Sequence, residues 1–251
     1  VKYIKLAASS LPHYQGPFTI GSVDVMIVGE VDSNGAPLSV FRDATTDGTG
    51  ALVAFNGVDF DVQLVGVEIR GASNSVEPTS LNIECSGSGK LSLIGASVAD
   101  SKGGGIVTGS SCELHINAST ITNNDGGGLD ITGPFSITNS IIAFNGVFNN
   151  SPFGGVRIDV GNGDGPRLFA HNTVFENLAL SIKPGGIECS SSLDADITNN
   201  ILYQNQPNTQ ASSVGNCNFS YIAGDFEIGT NFVSAAPEFV SANSASFDLH
   251  L

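Results

Sequence analysis

Three ionisable residues stand at the same offset behind a double glycine: Asp130 after Gly127-Gly128-Leu129, Arg157 after Gly154-Gly155-Val156, and Glu188 after Gly185-Gly186-Ile187. If these segments are equivalent strands of a stack, the three side chains form one outward column of acid, base and acid. Two carboxylates two coils apart would be separated by roughly 9 to 10 Å, the upper edge of the spacing used by inverting glycosidases. The same residues also make an alternating salt-bridge ladder, in which Arg157 fills the place that water and substrate would need. The ladder is the favoured reading, because structural ion pairs are common and catalytic pairs rare. A second chemical option lies in the loop Asp159-Val160-Gly161-Asn162-Gly163-Asp164-Gly165, where Asp159, Asn162 and Asp164 offer oxygen ligands as a calcium loop would. The spacing is not that of an EF-hand and no bidentate Glu follows, so a glycine-rich turn is favoured and calcium is the one cofactor considered.

Positioning such residues requires a repeated element, and the sequence contains one. Double glycines followed by apolar residues occur at Gly104-Gly105-Ile106, Gly127-Gly128-Leu129, Gly154-Gly155-Val156 and Gly185-Gly186-Ile187. A second block alternates with them: Ala118-Ser119-Thr120-Ile121-Thr122-Asn123-Asn124, Asn139-Ser140-Ile141-Ile142-Ala143-Phe144-Asn145, His171-Asn172-Thr173-Val174-Phe175-Glu176-Asn177 and Asn199-Asn200-Ile201-Leu202-Tyr203-Gln204-Asn205. Marking one apolar position per copy gives Ile69, Val98, Ile121, Ile142, Val174 and Leu202, at steps of 29, 23, 21, 32 and 28 residues. A unit of this size with two or three short alternating strands cannot bury its apolar side alone, whereas stacked copies can. Glycine at corners permits positive φ, and asparagine tolerates it, bonds nearby backbone, and can bond its equivalent on the next coil. That assigns a structural role to Asn124, Asn145, Asn177 and Asn205. A leucine-rich repeat needs a more regular frame and a propeller blade is longer. The expected fold is therefore all-β: a single right-handed parallel β-helix with irregular loops, with 1–22 as an N-terminal cap or docking segment, 23–230 as coils and 231–251 as a closing segment. The runs Val25-Met26-Ile27-Val28, Leu38-Ser39-Val40-Phe41, Leu52-Val53-Ala54-Phe55 and Val62-Gln63-Leu64 read as strands of the first coils.

The paired motif, Gly-Gly-x-Ile-like followed by Phe-x-x-Asn-like, resembles the repeats of chlamydial polymorphic outer-membrane proteins and the wider pectate-lyase-like β-helix superfamily, over roughly residues 50 to 215. The ending Ala236-Pro237-Glu238-Phe239-Val240 with Phe247-Asp248-Leu249-His250-Leu251 looks like the closing segment of bacterial members. The resemblance implies, for an enzyme, proton abstraction by Arg or Lys and calcium-assisted binding of an acidic sugar. The candidates in the middle coils are Arg157, Arg167, His171 and Lys183, although His171 sits where other copies carry Asn139 and Asn199 and reads better as a corner residue. The paired aspartates and Gly-His-Gly of the polygalacturonase branch do not occur.

Cys85 and Cys112 are 27 residues apart, and Cys189 and Cys217 are 28 apart, close to one repeat step in each case. Coils stack at about 4.8 Å, within disulfide reach, so both pairs are expected to bridge. Buried thiols are the alternative; no Cys-x-x-Cys suggests zinc.

Composition narrows the function. With 9 Lys and Arg against 24 Asp and Glu the formal charge is -15, which disfavours nucleic acid and anionic membrane surfaces. No apolar run approaches the roughly 18 residues of a membrane span. The start at Val1, without an initiator methionine, fits a mature secreted product or a trimmed chain. Sequons at Asn117, Asn149 and Asn218 would be used only by a glycosylating host. The expected function is a non-enzymatic, secreted or cell-surface module, structural or adhesive, able to self-associate through its ends. The alternative is a polysaccharide lyase or glycosidase working in a groove along the parallel sheet, and a polysaccharide or cell-surface glycan is the expected external partner.

Overall fold

The structure is a computed structural model that describes residues 2–8, 14–43, 50–71, 81–147, 150–161, 164–206, 211–213, 216–225, 230 and 233–234. Asn149, Asn162 and, except for Val233 and Ser234, the closing segment 231–251 lie outside the described residues. Strands run in three parallel sheets of nine, ten and eight strands, and the chain visits the sheets in turn. The architecture is a parallel β-helix, and among the described residues no helix is long and apolar enough to cross a membrane. The first sheet begins with Lys2–Lys5, the second with Tyr14–Gly16 and the third with Phe18–Ile20. The four early runs named from sequence fall in Asp24–Val28, Ser39–Asp43, Ala51–Phe55 and Val58–Val65.

The repeat markers Ile69, Val98, Ile121, Ile142, Val174 and Leu202 are in register on the second sheet, each fully buried. On the first sheet Ile27, Leu64, Leu93, Ile116, Ile137, Phe169, Ile197 and Phe219 form a matching inward column. Ile83, Ile106, Leu129, Val156 and Ile187 form the third. Each such side chain contributes about 1.5–3 kcal/mol of burial, so in-register stacking supplies the core.

The corners between sheets decide where the polar backbone goes. One residue of positive φ separates first-sheet from second-sheet strands: Gly66, Gly95, Ala118, Asn139, His171, Asn199 and Tyr221, with φ between 49° and 59°. Another ends the second-sheet strand, at Asp100, Asn123, Phe144, Glu176 and Gln204. Each bend leaves backbone groups that no in-plane strand pairing satisfies. The next residue supplies the partner. Asn124 Nδ2 donates to Asn145 Oδ1 at 2.9 Å, Asn145 Nδ2 to Asn177 Oδ1 at 3.0 Å, and Asn177 Nδ2 to Asn205 Oδ1 at 2.9 Å. Each Oδ1 also accepts the backbone N–H of the preceding asparagine. Each Nδ2 also donates to a carbonyl one coil back: Val98, Ile121, Ile142 and Val174 for Asn124, Asn145, Asn177 and Asn205. The coil before Asn124 carries Ser101 at that position, and Asn82, from the strand Leu81–Cys85, reaches in to replace the missing amide, donating to Asn124 Oδ1 and the Ala99 carbonyl. A parallel series at the other corner runs through Ser119, Ser140, Asn172 and Asn200, whose side-chain oxygens accept the N–H of Ala96, Ser119, Ser140 and Asn172.

The corner asparagines Asn124, Asn145, Asn172, Asn177, Asn200 and Asn205 therefore do not themselves take positive φ; the residue before each does. The double glycines serve a different need from the one expected. Among them only Gly127 has positive φ. A Cβ on Gly128 would stand 2.4 Å from the Gly155 carbonyl oxygen and 3.1 Å from Asn145 Nδ2, and one on Gly105 would stand 2.9 Å from Asn124 Nδ2. The second glycine lets the third sheet close against the asparagine ladder, which links the two halves of the motif.

The cysteines bridge as Cys85–Cys112 and Cys189–Cys217, with Cα separations of 6.0 and 6.3 Å. The pairs are not at equivalent positions one coil apart. Cys85 is in register with Thr108 and Cys189 with Ser213, and each partner lies four residues further on, past the corner into the first sheet. Each bridge thus ties a third-sheet strand to the first-sheet strand of the next coil.

Asn145→Ala strands the Asn124 amide and the Ile121 carbonyl in a buried site. It is expected to lower unfolding free energy by about 2–4 kcal/mol in equilibrium denaturation, while Asn117→Ala, at an exposed position, changes it by less than about 0.5 kcal/mol.

Candidate functional site

Asp130, Arg157 and Glu188 are adjacent in register on the outer face of the third sheet. The strands Leu129–Ile131, Val156–Ile158 and Ile187–Cys189 each bury their first and third residues and turn the middle one outward. Arg157 grips Asp130 with two hydrogen bonds, Nε to Oδ1 at 2.7 Å and Nη2 to Oδ2. Its guanidinium also lies 4.9 Å from the centre of the Phe153 ring. The Asp130 hydrogen bond, with the charges of Asp130, Glu188 and Asp159, raises the Arg157 pKa above its ordinary value despite partial burial. Glu188 takes a separate cation: Lys183 Nζ, brought up by the turn closed by the Lys183 N–H and the Leu180 carbonyl, pairs with Oε1. Glu188 Oε2 is buried without a hydrogen-bond partner. Both carboxylates thus already hold a cation. Bidentate guanidinium binding fixes the orientation of Asp130, which suits a strut between coils.

The other sequence candidates do not join this column. His171 is an exposed corner residue with φ of 59°, equivalent to Asn139 and Asn199. Arg167 opens the strand Arg167–Ala170, in register with Phe135 of the first sheet. Asp159 and Asp164 are both exposed, and among the described residues no group of three or more His, Cys, Asp or Glu side chains converges as a metal site would require. Asn117 and Asn218 are exposed on the first sheet, where Asn117 Nδ2 donates to Thr138 Oγ1 at 2.7 Å.

A different constellation lies on the outer face of the first sheet. In register there, Asp61, Lys90 and Glu113 form one row and Gln63, Ser92, His115 and Ser136 the next. Two depressions share Lys90: one of about 360 Å³ against Gln63, Ser92, His115 and Ser136, and one of about 540 Å³ against Asp59, Glu113 and Asp164. Glu113 and His115 are two apart on one strand and in contact, Oε1 to Nε2 at 2.5 Å. Lys90 makes no ion pair with any described residue, although acids flank it on both neighbouring coils. The alternation in Cys112-Glu113-Leu114-His115-Ile116-Asn117 marks Glu113 and His115 as sharing a face. Their register with Lys90 was not legible, because the repeat is anchored on third-sheet glycines and the corner leading into the first sheet varies in length.

A third cavity, of about 420 Å³, opens at the first coil. It is walled by Ile4, Phe18, Ile20, Val25, Ile27 and Phe41 among others, next to the outermost strand Lys2–Lys5. None of Asp130, Arg157 and Glu188 lines any of these three cavities.

No protein-family model, curated protein or solved structure matches the chain.

Arg157→Met keeps an aliphatic stem over Phe153 but leaves two poorly exposed carboxylates with one cation fewer. The expected loss of stability at neutral pH is about 1–3 kcal/mol, scaled down from fully buried pairs because the guanidinium is partly solvated. Equilibrium denaturation of both forms at neutral pH checks this.

Proposed function

We propose that this chain is a non-enzymatic extracellular scaffold, a structural or adhesive surface module. The observation that carries the reading is the state of the carboxylates most suited to chemistry by sequence: Asp130 is chelated by Arg157 and Glu188 is paired with Lys183, within a ladder that joins coils. Two intramolecular disulfides are compatible with an oxidising, extracellular setting. The apolar cavity at the first coil and the strand Lys2–Lys5, which among the described residues stands at the edge of the first sheet with Tyr3 and Ile4 exposed, support end-to-end self-association, since an open strand edge templates a further strand. Head-to-tail contact of this kind propagates as a fibre.

The second reading is a carbohydrate-active enzyme of the pectate-lyase-like type, for which the repeat is the only resemblance. The observation that favours it is the contact between Glu113 and His115, which line adjoining depressions on the first sheet. A carboxylate holding an imidazole is a recurring arrangement for proton transfer.

Purified chain incubated with acidic and neutral polysaccharides, with and without calcium, is expected to release no new reducing or unsaturated ends, and sedimentation of the same preparation is expected to show concentration-dependent oligomers. Turnover abolished by Glu113→Gln or His115→Ala would overturn the scaffold reading in favour of the enzyme; strictly monomeric sedimentation at high concentration would remove the fibre component.

A further inference from the structure

We infer that Asn34 is a site of spontaneous covalent modification, converting through a cyclic imide to isoaspartate and aspartate with water as the co-reactant, while the asparagine ladder withholds the same reaction from Asn145. The inference goes beyond the scaffold reading and does not depend on it. Asn-Gly pairs occur at 34–35, 56–57, 145–146 and 162–163, the last outside the described residues. Glycine places no side chain beside the attacking nitrogen, which makes this dipeptide the least hindered for the reaction. The Gly35 nitrogen gives up its proton and attacks Asn34 Cγ; a C–N bond forms, the Cγ–Nδ2 bond breaks, and ammonia leaves carrying that proton. Water then opens the imide, at Cγ to give aspartate or at the main-chain carbonyl to give isoaspartate.

The three described pairs differ in what holds them. Asn34 and Gly35 are exposed on the turn closed by the Val31 and Pro37 bridge, and nothing stands within 4 Å of the place a Gly35 Cβ would take. The Gly35 N–H donates to the Asp32 carbonyl at 3.1 Å and the Asn34 N–H to Asp32 Oδ1 at 2.8 Å, so the imide can close by rearranging this turn alone. Asn145 is buried, and its Nδ2, the nitrogen that would leave, is a rung of the ladder, donating to the Ile121 carbonyl and Asn177 Oδ1. The Gly146 N–H donates to the Asn124 carbonyl at 2.7 Å, and a Cβ on Gly146 would overlap the Leu178 carbonyl oxygen. Asn56 is exposed, but Gly57 is clamped between coils. A Cβ there would overlap the backbone of Gly21 and Ser22, and the Gly57 carbonyl accepts the Ser88 N–H at 3.0 Å.

Local sequence does not account for the difference between the last two. Ala54-Phe55-Asn56-Gly57-Val58 and Ala143-Phe144-Asn145-Gly146-Val147 are identical, so any difference in their rates comes from the fold. At Asn34 the product adds a negative charge beside Asp32, and isoaspartate adds a carbon to the main chain of the turn. That carbon falls between the two ends of the bonds from the Asp32 N–H to the Ala36 carbonyl and from the Ala36 N–H to Asp32 Oδ1, both 2.9 Å. The strand Ser39–Asp43 lies beyond the turn and is paired on both sides, with Tyr14–Gly16 and Val67–Arg70. The modification therefore changes the charge and shape of one exposed turn and leaves the stack in place.

The test incubates the full, oxidised chain in mildly alkaline buffer, folded and in denaturant, and follows each Asn-Gly peptide by mass spectrometry with detection of isoaspartate. In the folded chain Asn34 is expected to convert at least ~10-fold faster than Asn56 and at least ~100-fold faster than Asn145, whose reaction waits on opening of the stack. In denaturant Asn56 and Asn145 should convert within about 3-fold of each other. Asn34→Gln should abolish the more acidic charge variant that accumulates in the folded parent and keep the parent's denaturation midpoint. Absence of conversion at Asn34 in the folded chain, under conditions that convert the unfolded one, would overturn the site. Conversion of folded Asn145 as fast as Asn34 would overturn the protection by the ladder, as would an Asn145 that stays slower than Asn56 in denaturant.

Discussion

The interaction on which the rest of the structure depends is the side-chain amide of a buried asparagine, bonded to the next asparagine along the stack and to the backbone of the coil before. A β-helix must turn its chain three times per coil, and each turn leaves amides and carbonyls that the sheets do not pair. Within a low-dielectric core an unmatched group costs about 1–3 kcal/mol, and the cost recurs on every coil. Asn124, Asn145 and Asn177 meet it with complete use of their amides: Oδ1 accepts twice and Nδ2 donates twice. Substitution by Asp would remove both donors, and by Leu would remove every partner. The choice of residue follows from the count of hydrogen bonds.

This constraint reaches the rest of the fold through close approach. The ladder is compact only if the third sheet comes within contact of it, and the second glycine of three pairs, Gly105, Gly128 and Gly155, permits that. The apolar columns then fall into register, and the outward positions of each sheet line up as rows. The ionic rows of the third sheet and the open rows of the first sheet are consequences of the same alignment. They differ in how charge is matched: Asp130 and Glu188 each meet a cation at contact distance, whereas Lys90, in register with Asp61 and Glu113, forms no ion pair with any described residue.

Much of this was legible in the sequence because it depends on residue type at fixed offsets. The second-sheet markers, the order of Asp130, Arg157 and Glu188, and the coil-to-coil bonding of Asn124, Asn145, Asn177 and Asn205 all follow from a strand and corner of constant length. Three features were not legible. Asn82 enters the ladder from a different sheet, where no repeat position predicts an asparagine. The cysteine spacing gave both bridges, but not the corner that each crosses beyond one full coil. The first-sheet depressions depend on register across loops of unequal length, from Thr108 to Cys112 in one coil and from Ile158 to Arg167 in another, which alternation within a single strand cannot supply.

Amide hydrogen exchange on the intact, oxidised chain tests the central claim most directly. If the asparagine ladder holds the stack, the backbone N–H groups of Asn124, Asn145, Asn172 and Asn177, all donated to side-chain oxygens rather than to strand carbonyls, should exchange as slowly as the central strand amides, at the global stability of the domain. Exchange at those four positions as fast as at the exposed turn amide of Gly35 would contradict it, and would place the cohesion of the stack in its apolar columns alone.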